Sequence, residues 1–347
     1  MMESNKQGAN ILLQSSPHIS SSVNSVTLMR NMLIALAPVA VFSVVIFGLQ
    51  ALLNIIVATV SAVAGECLFR LITKQKIRAK DLSAAISGLL LALVIPPSTP
   101  LWMTALGAVF AVVVAKELFG GLGVNIFNPA LVGRAFLVMS FPAALTTWQP
   151  LREVFNIDVI SGATPLGITK FGGDISTAGE ALTALQQSFL SSDSYLSTMR
   201  IMFWGFHKGS MGETSVFLIL AAFLFLLVTK TIDWRTPLCM IAAGFLSALA
   251  FWQNLPFALY SILAGGFMFG AVFMVTDYVT TPVTGKGKII FGCGVGIIAM
   301  LIRRFGTYPE GVCFAILIMN AVVPFLDKLL SRKYGYVKPQ KPSKEAK

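Results

Sequence analysis

Apolar residues recur along the chain in ten blocks, each set off from the next by a cluster of polar, glycine or proline residues. The blocks cover roughly 31–49, 52–71, 83–99, 101–119, 127–146, 214–231, 236–253, 256–275, 288–302 and 310–327. A helix needs about 20 mostly apolar residues to cross the hydrocarbon layer. The pattern therefore predicts an all-α integral membrane protein with about ten transmembrane helices. Between the third and fourth blocks stands Pro96-Pro97-Ser98-Thr99-Pro100, which reads as a turn because proline cannot continue a helix.

One long polar stretch, 147–213, interrupts the series and leaves five blocks on each side. The predicted organisation is an N-terminal segment (1–30), a first five-helix half (31–146), the loop (147–213), a second half (214–329) and a basic tail (330–347). A loop of this length is usually functional or disordered. Because five is odd, two repeated halves would have to be inverted relative to each other, an arrangement common in transport folds. The stretches 115–138 and 302–324 share a charged pair, then Phe-Gly, a turn and an apolar helix. Chance similarity between two apolar segments is the alternative, and it stays open.

Charge sets the expected orientation. Arg70, Lys74, Lys76, Arg78 and Lys80 follow the second block, and Lys328, Arg332, Lys333, Lys338, Lys341, Lys344 and Lys347 follow the tenth. Lys and Arg favour the cytoplasmic side of short loops. With ten crossings, both basic segments and the N-terminus fall on that side, and 147–213 falls outside. Arg303-Arg304, at the outer end of the ninth block, is the exception.

Composition excludes an ordinary soluble domain. Hydrophobic residues make up 56% of the chain and charged residues 12%, with a mean hydropathy of +0.79. A soluble domain carries about 25% charge. The net charge of +11 would suit a nucleic-acid ligand, but the basic residues sit in short clusters beside apolar blocks. That placement reads as membrane orientation, so no nucleic-acid partner is expected. The four cysteines, Cys67, Cys239, Cys293 and Cys313, all lie within apolar blocks and form no CxxC pair, and they read as packed thiols. The polar first residues predict no cleavable signal peptide.

The informative chemistry lies in the loop, in Asp158-Val159-Ile160-Ser161-Gly162-Ala163-Thr164-Pro165-Leu166-Gly167. Ser161, Gly162 and Ala163 are small, which frees the backbone and clears space around the Thr164 hydroxyl. Pro165 restricts Thr164 to extended conformations. Taken alone, the stretch also reads as a plain turn. Asp158 followed at fixed spacing by Ser161, Gly162, Ala163 and Thr164 resembles the flavinylation signature of Rnf- and Nqr-type respiratory complexes. The resemblance implies FMN joined through a phosphoester to Thr164 by a flavin transferase, with Asp158 orienting the segment or binding the transferase or its metal.

Chain size, the ten blocks, the SSPHISSS start (15–22) and FNPALVGRAF (127–136) extend the resemblance over the whole chain. It is similar to the D-subunit family of the Rnf complex, which passes electrons between ferredoxin and NAD and couples them to Na⁺ or H⁺ movement. The related Nqr B subunit has a longer N-terminal region. The family implies a subunit of an ion-translocating oxidoreductase in the bacterial inner membrane, with no complete active site of its own. Its partners would be other membrane and iron–sulfur subunits of the complex. A second, non-covalent flavin such as riboflavin is also implied. Asn125 and Asn128 are the candidates to hold it, since a carboxamide both donates to and accepts from a flavin ring edge. Capping of the fifth helix is the alternative role for either residue.

Lys116, Glu117, Asp277, Arg303 and Arg304 draw a functional reading by default, because charge is costly in lipid, although interfacial snorkelling would account for them too. His18 and His207 are too few and too far apart for a haem or metal site. No GxGxxG or GK[ST] loop is present, which assigns NAD chemistry to a partner. The rival readings are a secondary transporter or channel, and a structural anchor with an inert loop motif.

Overall fold

The computed structural model describes residues 24–76, 81–146, 194–205, 207, 209–306 and 310–330. Among these residues every regular element is a helix. Helix α1 (Ser25–Phe47) turns at Gly48 directly into α2 (Leu49–Ile72), followed by α3 (Ser83–Val94) and α4 (Leu101–Ala115). A 3₁₀ turn (Glu117–Phe119) extends α4, and α5 (Pro129–Ser140) and α6 (Pro142–Thr146) complete the first half. The second part runs α7 (Ser194–Trp204), α8 (Val216–Val228), α9 (Arg235–Trp252), α10 (Leu255–Leu263) and α11 (Phe267–Phe269). Helix α11 continues as a π turn (Gly270–Met274), and α12 (Gly285–Phe305) and α13 (Val312–Leu330) close the chain.

Six helices are long and apolar enough to cross a bilayer: α1, α2, α4 with its 3₁₀ turn, α9, α12 and α13. Their outward faces carry large apolar side chains such as Val41, Val60, Leu246 and Phe325. Apolar surface on that scale is foreign to a soluble monomer and suits lipid contact. The protein is a multi-pass membrane protein whose described residues are all-α.

Four of the expected spans are shorter or more broken than their apolar blocks. Helix α3 stops at Val94 rather than 99, because Ile95 precedes Pro96 and is held out of the helical region. Its 12 residues rise about 18 Å against a hydrocarbon layer of about 30 Å. Helix α5 ends at Ser140, and Pro142 starts the separate turn α6. Helix α8 covers only Val216–Val228. The block 256–275 is divided into α10 and α11, bent by 62°. Gly265 makes this bend with φ +67°, a conformation that side chains resist.

The open end of α3 is closed by chain from elsewhere. Gly212 donates its N–H to Leu93 O at 2.6 Å, and Met211 donates to Ile95 O at 3.4 Å. A Cβ on Gly212 would stand 2.9 Å from that same carbonyl oxygen, so a bare backbone is needed there. Asn54 in α2 donates to Pro97 O and accepts from Thr104 of α4, which satisfies the turn between α3 and α4. Non-helical backbone inside a membrane bundle survives only when protein groups satisfy it in this way.

Packing repeats in order. Helix α2 packs against α3 and α4, and α4 against α5; α9 packs against α10 and α12, and α12 against α13. Helix α1 meets α8, and α5 meets α13, where the two sets join.

Candidate functional site

Asn128 sits at the joint between the two sets of helices. It precedes Pro129, which is pre-organised for a first helical turn, and its Oδ1 accepts from Ala130 N–H and Leu131 N–H at the start of α5. Its Nδ2 donates to Met274 O at the end of the π turn. Asn320 of α13, with its carboxamide turned to suit, accepts the Asn128 backbone N–H and donates to Thr280 O, both at 3.2 Å. Both atoms of the Asn128 carboxamide are thus committed within the protein.

Asn125 differs. Its Nδ2 donates to Phe127 O at 3.2 Å, while its buried Oδ1 accepts nothing from the described residues. It lines a cavity of about 50 Å³ with Met29, Met32, Lys116, Asp277 and Tyr278. The Tyr278 hydroxyl is likewise buried without a partner among the described residues. Asp277, in the turn after α11, accepts from Thr280 Oγ1 at 3.0 Å. Burial raises its carboxyl above the ordinary carboxylate range, against hydrogen bonds from Thr280 and the Val279 and Tyr278 N–H groups that lower it. An unpaired acceptor and an unpaired hydroxyl fit the imide edge of a flavin ring. The space holds water but not a tricyclic ring. Met29 and Met32 wall it, and such flexible side chains yield more readily than branched ones.

Behind the cavity lies a buried ionic network. Lys116 Nζ is 3.0 Å from Glu66 Oε2 and donates to Ser83 Oγ at 2.6 Å. Ser83 Oγ in turn donates to Asp81 at 2.7 Å. Arg70 grips Glu117 with Nε and Nη2 at 3.0 and 3.1 Å and lies 3.2 Å from Glu66, its neighbour one helical turn back. Lys116 and Glu117, read from the sequence as interfacial or functional, are thus neutralised inside the bundle. Glu66 and Arg70 complete the network, and no sequence motif points to them as a pair. The available signal is a lone carboxylate within an apolar block, four residues before an arginine.

Arg303 and Arg304 part company. Arg303 is only 4% exposed, and its guanidinium donates to Ser261 O and, at 3.0 Å, to Ala264 O, which receives the open C-terminal end of α10. It also lies over the Phe267 ring. Arg304 is exposed and lies 5.8 Å from the Trp252 ring centre. Arg134, inside the apolar α5, pairs with Glu310 before α13. The sequence gives Arg134, Glu310 and Glu213 no shared role: Arg134 stands within FNPALVGRAF and Glu310 within 302–324, but the three meet only in space.

His207 is buried, and His18 lies outside the described residues. Asp158, Ser161, Gly162, Ala163, Thr164 and Pro165 also lie outside the described residues.

Residues 12–335 match the family described as the NQR2, RnfD, RnfE family. The chain is 40% identical, over 91% of its length and 93% of the relative's, to the D subunit of the proton-translocating ferredoxin:NAD(+) oxidoreductase complex of Clostridium ljungdahlii. It is 35% identical, over 96% and 98%, to the D subunit of the Na(+)-translocating ferredoxin:NAD(+) oxidoreductase complex of Acetobacterium woodii. It is 36% identical, over 94% and 99%, to the D subunit of the ion-translocating oxidoreductase complex of Escherichia coli.

Proposed function

The chain belongs to the NQR2, RnfD, RnfE family, and from that premise we propose that it is the membrane flavoprotein subunit of an Rnf-type complex. Such a complex relays electrons between ferredoxin and NAD and couples them to Na⁺ or H⁺ movement, as the names of its relatives describe. One observation carries the flavin reading. On a chain that matches the family almost end to end, Asp158, Ser161, Gly162, Ala163 and Thr164 stand at the spacing of the flavinylation signature. FMN is joined through a phosphoester to the Thr164 hydroxyl by a flavin transferase.

The proposed topology has ten crossings, both termini in the cytoplasm of a bacterial cell and 147–213 on the outer face. The three short helices and the bent pair then each serve as one crossing, added to the six long helices. The repeated packing order supports two inverted halves, 31–146 and 214–329.

Asn125 is the polar contact for the second, non-covalent flavin, because its Oδ1 is unpaired, whereas Asn128 is spent on the cap of α5 and the link to Met274. Tyr278 offers a donor beside it. The flavins supply the redox chemistry, and the chain supplies placement and exclusion of water. Electron entry and exit belong to iron–sulfur and other membrane subunits of the complex.

The test is in-gel fluorescence after denaturation, with the chain co-expressed with its flavin transferase. Wild type is expected to fluoresce and Thr164→Val to be dark. A wild type that never fluoresces beside an active transferase removes the electron-transfer reading and favours a transporter.

A further inference from the structure

The described residues between α7 and α8 form no regular element and lie in the protein interior. From 209 to 215 every residue is buried. This segment holds several polar side-chain atoms with no hydrogen-bond partner among the described residues: Ser210 Oγ, Glu213 Oε2, Thr214 Oγ1 and, just before it, both ring nitrogens of His207. Buried polar groups are expensive unless bonded, so such a concentration marks a place where something polar is held.

Glu213 is the sharpest case. It is 4% exposed, and its Oε1 accepts the Ser210 N–H at 2.8 Å. Among the described residues no cation pairs with it. Its unpaired Oε2 points toward the break between α10 and α11. A Cβ placed on Gly266 would lie 3.5 Å from Glu213 Oε2 and 4.0 Å from both Glu310 Oε1 and Arg134 Nη1. Glu310 already has partners: Arg134 on one oxygen and the Gly266 N–H, at 3.3 Å, on the other.

Two ionised carboxylates this close repel, and neither can donate to the other. A single proton resolves both faults. Placed on Glu213 Oε2, it removes one buried charge and is donated to Glu310, which remains paired with Arg134. Arg303 on α12 does not compete for Glu213, because it is held by Ser261 O, Ala264 O and the Phe267 ring. Tyr260 of α10 and Cys313 of α13 complete the titratable groups around the cluster. The Arg134 guanidinium, about as far from the Gly266 site as Glu310 is, disfavours a metal cation there.

We propose that Glu213 and Glu310 form a proton-binding carboxyl pair at the break of the α10–α11 span, holding one exchangeable proton between them. Its use in coupled ion movement rests on the function proposed above; the proton itself does not. Five parts of the fold meet at this point: α5, the segment before α8, the α10–α11 break, α12 and the turn before α13. A proton gained or lost there changes the charge balance at the one place where the span is not a continuous helix.

The test is infrared spectroscopy of the purified complex over a pH series, in which a protonated carboxyl is read directly from its C=O band. The wild type at neutral pH is expected to show a band, shifted in D₂O, that is absent from Glu213→Gln. It is also expected to vanish in Glu310→Gln, because Arg134 then turns to Glu213 and ionises it. Exchange of choline for Na⁺ should leave the band unchanged. Equal bands in wild type and Glu213→Gln overturn the proposal and leave a wholly ionised salt cluster. Loss of the wild-type band on adding Na⁺ overturns it in favour of a sodium site. If neither variant assembles, dicyclohexylcarbodiimide on the wild-type complex decides: an adduct on Glu213 or Glu310 at neutral pH supports the pair, and adducts on neither at any pH overturn it. No readout depends on bound flavin, so failure here leaves the flavin reading standing.

Discussion

Lys116 Nζ lies 3.0 Å from Glu66 Oε2, and both side chains are almost wholly buried where α4 ends beside α2. Lys116→Met removes one charge and leaves Glu66 with Arg70 alone, which Glu117 already shares. Breaking a buried pair from one side costs about 3–5 kcal/mol. The expected result is a clear fall in the thermal unfolding midpoint of the detergent-purified protein, largely restored when Glu66→Gln is added. A single variant as stable as wild type would show that the pair contributes nothing.

The two adjacent arginines should respond unequally to the same change. Arg303→Gln leaves Ser261 O and Ala264 O without their donor inside the bundle, a loss of about 1–3 kcal/mol for each unsatisfied buried group. Arg304→Gln removes an exposed side chain resting on Trp252 and should stay within about 0.5 kcal/mol of wild type. Matched melting curves check this, and equal losses would refute the division of roles.

Asn125 and Asn128 separate in the same manner. Asn125→Leu keeps the volume and removes the unpaired oxygen, so flavin released by mild denaturation should drop while covalent fluorescence persists. Asn128→Ala removes the cap of α5 and should lower stability by about 1 kcal/mol or more. Full release of non-covalent flavin from Asn125→Leu would count against the contact.

Thr164→Ser keeps the hydroxyl and should keep part of the fluorescence, whereas Ser161→Ala should keep all of it. Thr164→Val preserves the β-branched shape and loses only the oxygen. A fluorescent Thr164→Val gel band would refute Thr164 as the acceptor.

Reporter fusions check orientation. Alkaline phosphatase placed after residue 190 should be active, and a cytoplasmic fluorescent reporter there should be dark, with the reverse at the C-terminus. The opposite pattern would invert every assignment of side.

The hydrophobic blocks were legible from the sequence because a span in lipid is chosen by local composition alone. Six long helices stand where apolar runs predict them, since lipid contact rewards each residue independently. The family was legible because its motifs are short and contiguous, as in Phe127-Asn128-Pro129-Ala130. What tertiary structure decided was everything that depends on distant partners. Helix α3 ends at Val94 with its carbonyls unmet until Gly212 and Met211 arrive from the far side of the loop. Asn125 and Asn128 are equivalent on paper, and only Met274 and the first turn of α5 commit both ends of one carboxamide, while the oxygen of the other has no partner among the described residues. Arg303 and Arg304 read as one exception to a charge rule, yet the pitch of a helix turns the first onto α10 and the second outward. Glu213, Glu310 and Arg134 stand far apart in the sequence, and nothing there links them to one another. Electrostatic energy depends on separation in space, and that separation exists only once the helices have packed.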